Sequence, residues 1–464
     1  MRTLIQNARI YGTDTYTVGA ETALGYVEGD LLIEEDHIAA ILTSPEERLE
    51  AAQNVDHRVD ATGMWLLPGA IDTHVHFREP GLTAKADISS ESMAAAAGGV
   101  TTVFDMPNVL PTTTTREALA MKAELFAAKS VVNYGLFFGI TADNIDEALS
   151  LPSQDFCGYK VFLGSSTGGM LMNDPNLLRR LFSATQRVIA VHSESESIIA
   201  ERLAEMIRLH GEQLPIKLHP QIRSREACVK ATSDAITLAQ ETGAQLHICH
   251  ITTADELQFF PLATPESTVS ARSITAEACV AHLHFTDEDY DRLGSRIKCN
   301  PAIKTEADRA ALREAIGALH SRVDIVATDH APHLLSDKEG YVTRAASGMP
   351  SVQYSLTTML DLAADGVVEV CDVVRLMSQA PALRFGISER GFIRPGYKAD
   401  LVLVRPDSPH TITPENVRSK CGWSPFEREE RRHRIVGTWV NGHRVYDGET
   451  VDTAVCGEKV CYTL

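Results

Sequence analysis

Short apolar runs alternate with amphipathic stretches through the middle of the chain. The runs WLLPGAIDTHVHF, VTTVFDMP, VVNYGLFFGI, YKVFLG, VIAVHSE, QLHICHIT, STVSARSIT and VDIVATDHAP read as strands. REALAMKAELFAAK, DPNLLRRLFSATQ and EADRAALREAIGALH between them read as helices. Parallel strands covered on both faces give near-continuous apolar runs instead of strict alternation. Eight such units predict an α/β fold, a (β/α)8 TIM barrel. A doubly wound open sheet is the runner-up, but no GxGxxG or Walker-type glycine loop follows any of the runs. Both chain ends have a different texture, with β-prone pieces separated by polar turns: LIQNARIY and DLLIEEDHIAAIL at the start, ADLVLVRP and HRIVGTWVNGHRVYDG at the close. Val-Asn-Gly-His is a hairpin signal. Neither end has enough strands for a core of its own. Residues 1–62 and 395–464 are therefore expected to pair into one small β-sandwich domain enclosing a barrel at 63–394.

Composition narrows the function classes. Of 464 residues, 43 are basic and 62 acidic, a formal charge of -19. A broad basic surface for a phosphate backbone is excluded, so a nucleic-acid partner is not expected. No uncharged apolar stretch approaches the roughly 18 residues of a membrane span, and the first residues lack a signal-peptide core. A cytoplasmic protein acting on a small molecule is expected, with a homo-oligomer left open. Nine cysteines, an odd number, include Cys157, Cys249 and Cys371 inside apolar runs, which suggests reduced thiols. Cys456 and Cys461 match no usual zinc spacing and read as free thiols in a C-terminal strand pair.

In a barrel, chemistry sits at the C-terminal ends of the strands, so polar residues closing apolar runs are the candidates. In IDTHVHFREPG a two-residue period puts Asp72, His74, His76 and Arg78 on one face. Two imidazoles pointing the same way can hold a metal, although His282 and His284 show how easily the spacing recurs. Lys160 lies in the middle of GYKVFLG among apolar neighbours. Burying its charge costs several kcal/mol unless it is paired, neutralised or chemically altered. It either snorkels at a strand end or reacts with CO2 to give a carbamate, a two-oxygen anion suited to bridging two divalent cations. His192 closes VIAVHSE and His250 closes QLHICHIT; His247 has the opposite facing and reads as a supporting or core histidine. Asp329 ends VDIVATDHAP, as a cap or as a ligand. Four histidines, a buried lysine and an aspartate at successive strand ends point to a two-metal hydrolase. Imidazole and carboxylate donors without cysteine suit zinc, with manganese or cobalt as substitutes. Two such cations would acidify a bridging water and polarise an amide carbonyl, with Asp329 as the proton carrier.

At PGAIDTHVHFREPG the chain resembles the amidohydrolase superfamily, and specifically the dihydroorotases. The resemblance continues through GGVTTVFDMPN, GYKVFLGSSTG, VHSES, HICHITT, KCNPAIK, ATDHAPH and the C-terminal KADLVLV and GWSPFEREERRHRIVGTWVNGHRVYDG. It implies a (β/α)8 barrel and reversible cyclisation of N-carbamoyl-L-aspartate to L-dihydroorotate in de novo pyrimidine synthesis, through a metal-activated bridging hydroxide. Carried over by position, His74, His76 and Asp329 would hold one metal, His192 and His250 the other, and carboxylated Lys160 would bridge. Arg78, Asn108 and His333 would grip the substrate carboxylate, and Asn300 would lie near the ring. A guanidinium just beyond His76 is placed for a bidentate carboxylate pair. Allantoinases and hydantoinases resemble the metal-ligand pattern but generally lack that arginine. An allantoinase or hydantoinase-like cyclic amidase is the rival enzyme. The non-enzymatic rival is a dihydroorotase-like scaffold, which would be expected to have lost ligands, whereas all six positions are filled here. The family's NPPLR-like stretch reads NPAIK, leaving Lys304 as its basic residue.

Overall fold

The chain begins in a sheet that it completes only at its end. A computed structural model describes residues 1–13, 25–164, 169–263, 269–317, 321–454 and 457–463. Cys456 and positions 165–168 of GYKVFLGSSTG lie outside the described residues. Strands β1 (Arg2–Tyr11), β2 (Tyr26–Glu34), β3 (His37–Leu42), β4 (His57–Asp60) and β5 (Trp65–Pro68) come from the first part of the chain. The barrel strands are β6 (Ala70–Val75), β7 (Val100–Asp105), β8 (Asn133–Gly139), β9 (Gly158–Phe162), β10 (Ile189–His192), β11 (Leu246–Ile248), β12 (Ile274–Cys279) and β13 (Ile325–Ala327). Last come β14 (Leu401–Arg405), β15 (His410–Thr411), β16 (Glu430–Arg431), β17 (Arg434–Val440) and β18 (His443–Tyr446).

The two chain ends do meet. Strand β14 pairs antiparallel with β5, Leu401–Val404 against Pro68–Trp65, and β17 and β18 extend the same sheet. Its core is apolar, with Ile5, Ile10, Leu31, Leu66, Leu401 and Trp439 buried together in a β-sandwich-like arrangement. The predicted hairpin closes β17 onto β18 with Asn441 at φ 50° and Gly442 at φ 78°, the left-handed pair a two-residue turn requires.

Strands β6 to β13 form one parallel ladder in sequence order. Its edges are joined just beyond the named strands: the His76 N–H donates to His330 O at 2.8 Å and the His330 N–H to His74 O at 3.3 Å. Asp72 reinforces the seam by accepting from Thr328 Oγ1 at 2.6 Å. The helices begin where sequence chemistry puts them, with Asp87, Thr115, Asp174 and Thr305 capping their first turns. Among the described residues no helix is long and apolar enough to cross a membrane.

Two predicted strands need correction. The run WLLPGAIDTHVHF is two strands: β5 belongs to the end sheet and β6 to the barrel, with Gly69 between them. A Cβ on Gly69 would lie 2.1 Å from Thr101 Oγ1, so only glycine lets the chain pass from one sheet to the other there. The seventh barrel strand starts only at the last two residues of STVSARSIT, whose first two positions, 267 and 268, lie outside the described residues. Val269–Ala271 forms a single 3-10 turn and the strand is Ile274–Cys279, displaced toward the C-terminus. Val and Thr within STVSARSIT mimic strand propensity, but the ladder register is set by β11, where Leu246 pairs Ile274.

Candidate metal and substrate site

All ten residues singled out from the sequence line one cavity of about 540 Å³ at the C-terminal mouth of the barrel. These are the six ligand candidates His74, His76, Lys160, His192, His250 and Asp329, and the four substrate candidates Arg78, Asn108, Asn300 and His333. His74 projects from β6, Lys160 from the middle of β9, and His192 ends β10. The other placements depend on turns. The strand pleat of β6 stops at Val75, and Arg78, His250 and Asp329 have φ of 67°, 40° and 49°. Non-glycine residues in this left-handed region cost of order 1–3 kcal/mol each and persist where the surroundings hold them for a purpose. Here three of them fall at strand ends facing one cavity.

The imidazoles are oriented from behind. His74 Nδ1 donates to Glu277 Oε1 at 2.8 Å, His76 Nδ1 to Asn108 Oδ1 at 2.7 Å, and His192 Nε2 to Glu194 Oε2 at 2.8 Å. A neutral imidazole that donates through one nitrogen presents a lone pair at the other. Two of those lone pairs converge on another acceptor, His76 Nε2 lying 2.9 Å and His74 Nε2 3.4 Å from Asp329 Oδ1, and the third meets a further imidazole, His192 Nδ1 lying 3.0 Å from His250 Nε2. Acceptors at such separations repel unless a proton or a cation lies between them. Ligands about 2.0–2.1 Å from a tetrahedral cation are themselves about 3.3 Å apart, which matches this spacing. Donor atoms of His74, His76 and Asp329 all lie within 4.8 Å of one another. The donor set therefore fits divalent cations held by histidine and carboxylate.

The electrostatics call for positive charge at the same point, which either a proton on His74 or a bound cation supplies. Burial and the Lys160 charge oppose protonation of His74, yet the Glu277 and Asp329 carboxylates outweigh them and raise it to about 10. Burial pulls His76 down to about 4. Against burial, neighbouring positive charge, led by His74, holds Asp329 at about 2, so it is ionised at neutral pH. Lys160 is fully buried, and its Nζ donates to Cys249 Sγ at 3.1 Å; among the described residues no carboxylate pairs with it.

Arg78 is buried as well, and burial lowers its guanidinium to about 10, still charged at neutral pH. The acids near it in sequence are engaged elsewhere: Glu79 pairs with Lys129, and Glu91 holds His330 and Ser419. Arg78 Nε donates to Pro332 O at 3.1 Å and an Nη contacts His333 Nε2 at 3.0 Å, and no described carboxylate lies within ion-pair distance. Lys85, Arg223 and Lys298 also line the cavity, where Asp329 is the one carboxylate among the described lining residues. Asn300 Oδ1 is buried without a hydrogen-bond partner.

Glu277 and Glu194 were missed from the sequence. Glu277 bonds Thr73, His74, His247 and the backbone N–H of His250, tying three strands to one carboxylate. Its signal was present: it is the lone acid in the apolar run ITAEACVAHL, hidden by the displaced seventh strand. Glu194 follows His192 by two residues and is also held by Arg223. His247 bonds Thr275 and Glu277 and does not line the cavity, while His282 bonds the Pro301 carbonyl. The carboxylate behind His74 yields a prediction. Glu277→Gln should weaken metal affinity by about tenfold or more, measured by chelator competition. Retention at the unmodified level would remove Glu277 from the site.

Comparison with known proteins places these features in context. A model of the Amidohydrolase family matches residues 65–445. A dihydroorotase of Halobacterium salinarum is 35% identical over 428 residues, covering 91% of this chain and 94% of that one. An allantoinase of Bacillus velezensis is 33% identical, covering 91% of each. Among solved structures, the L-hydantoinase of Arthrobacter aurescens superimposes with a TM-score of 0.88 at 25% identity, covering 99% of each chain.

Proposed function

Because this chain belongs to the amidohydrolase family and is a hydrolase of cyclic amides, we propose that its substrate is an anionic ring and its reaction that of a dihydroorotase. The reaction is the reversible closure of N-carbamoyl-L-aspartate to L-dihydroorotate, a step of pyrimidine synthesis in the cytoplasm. The observation that carries the choice within the family is Arg78, a buried guanidinium facing the cavity with no described carboxylate in ion-pair contact. A neutral ureide leaves that cation desolvated and unpaired, whereas a ring carboxylate satisfies it.

His74, His76 and Asp329 would hold one divalent cation, and His192 and His250 a second. Lys160 would bridge them after its amine adds to CO2, forming the N–C bond of a carbamate and releasing a proton to solvent. Zinc suits these donors. Such a pair, when bound, acidifies water and polarises an amide carbonyl. The chain's own groups do the rest. Arg78, His333 and Asn108 orient the substrate through its carboxylate. Asn300 Oδ1, buried and unpartnered, suits an N–H of the ring. The ionised Asp329 takes a proton from the attacking water and passes it to the departing ring nitrogen; ring closure runs the same path in reverse.

Purified protein should turn over dihydroorotate and leave allantoin and 5-substituted hydantoins nearly untouched. Turnover of a neutral ring alone refutes the dihydroorotase reading in favour of an allantoinase or hydantoinase-like enzyme. No turnover of any of the three, with an empty metal centre, favours the scaffold.

A further inference from the structure

His333 is in contact with a donor at both ring nitrogens. Arg78 Nη lies 3.0 Å from Nε2, and Lys85 Nζ lies 3.1 Å from Nδ1. The ring is buried, and its backbone is pinned by Trp423 Nε1, which donates to His333 O at 2.8 Å. Burial, with the Arg78 and Lys85 charges, holds His333 far below the usual histidine range, so it is neutral. A neutral imidazole has one lone pair and one N–H. It cannot accept from both cations, and Arg78 cannot give up its proton. Two other acceptors stand nearby: Asp337 Oδ2 is 3.8 Å from His333 Nδ1 and 4.0 Å from Lys85 Nζ, and the Ser347 carbonyl also meets the ring.

An arriving carboxylate resolves the mismatch. It takes the Arg78 N–H groups, leaving His333 free to keep its proton on Nε2 and donate to the same anion. That tautomer needs an acceptor lone pair on Nδ1, facing a donor. Lys85 supplies the donor. We propose that Lys85 is a specificity-determining positioning residue, which fixes His333 as the Nε2–H tautomer and so tunes the cavity for rings that carry a carboxylate. The inference rests on the proposed anionic substrate. Lys85 lies in the PGLTAKAD loop, seven residues after Arg78, where no strand or helix pattern marks it.

The test compares the intact metal-loaded enzyme with Lys85→Met and Lys85→Arg. Each is assayed with dihydroorotate and with a neutral hydantoin. Lys85→Met should raise the dihydroorotate KM about tenfold, the effect of one charge-assisted hydrogen bond, with a much smaller change in kcat. Lys85→Arg should recover most of the loss, and binding of the neutral hydantoin should shift far less than that of dihydroorotate. An unchanged dihydroorotate KM in Lys85→Met, or an equal loss for the neutral ring, overturns the proposal. Should the wild type turn over only neutral rings, the functional reading fails by itself. Dihydroorotate then serves as a competitive inhibitor, and its inhibition constant across the three proteins still decides the role of Lys85.

Discussion

Asp329→Asn is expected to lower kcat for dihydroorotate by about 10³-fold or more, the scale of a lost proton carrier at the reacting bond. The amide keeps the size of the carboxylate, so packing at the end of β13 should survive. What it removes is the ionised carboxylate, the proton acceptor that its positive neighbours keep charged by holding Asp329 at about 2 in spite of its burial. The same change deprives His74 and His76 of the anion they converge on, so cation content must be measured beside turnover. Loss of turnover with cations retained isolates the proton-transfer role. Activity above about a tenth of wild type would mean that another group moves the proton.

Arg78→Ala is expected to weaken dihydroorotate binding by roughly 100-fold, as for a charge-assisted, bidentate hydrogen-bonded pair worth about 2–3 kcal/mol. Bound metal should stay at the wild-type level, because Arg78 contacts Pro332 and His333 and no metal-ligand candidate. The selectivity should also change: with the unpaired cation gone, neutral rings should be discriminated against less strongly. Steady-state kinetics on both ring types, with metal analysis of the same preparation, read all three outcomes. An unaltered KM accompanied by lost metal would contradict the assignment.

Much of this site was legible because the fold writes it in one dimension. A parallel barrel puts its working residues at the ends of apolar runs, so His74, His192 and Asp329 announce themselves as polar closures of otherwise buried segments. Lys160 stood out for the reverse reason, as a charge inside a strand. What stayed hidden depends on three-dimensional closure. Glu277 belongs to a strand whose register is fixed by its neighbour β11, and local propensity placed that strand several residues too early. Arg78 was expected to face the cavity by strand alternation, whereas the structure brings it there through a left-handed turn. Arg223 lies in a polar stretch with no periodic signal, and it meets Glu194 only after the chain has folded. The pairing of the two chain ends was readable from their shared texture, but the crossing at Gly69 was not, because the glycine's role depends on Thr101 from the next strand.

At the barrel mouth His74 and His76 converge on Asp329 where only a proton or a cation can separate them. A crystal structure of the purified protein with anomalous scattering at metal absorption edges tests this most directly. The predicted result is two cations about 3.5–4 Å apart, one on His74, His76 and Asp329 and one on His192 and His250, with extra density on Lys160 Nζ between them. A fully loaded preparation with no anomalous peak at these five side chains, or with its cations bound elsewhere, would contradict it.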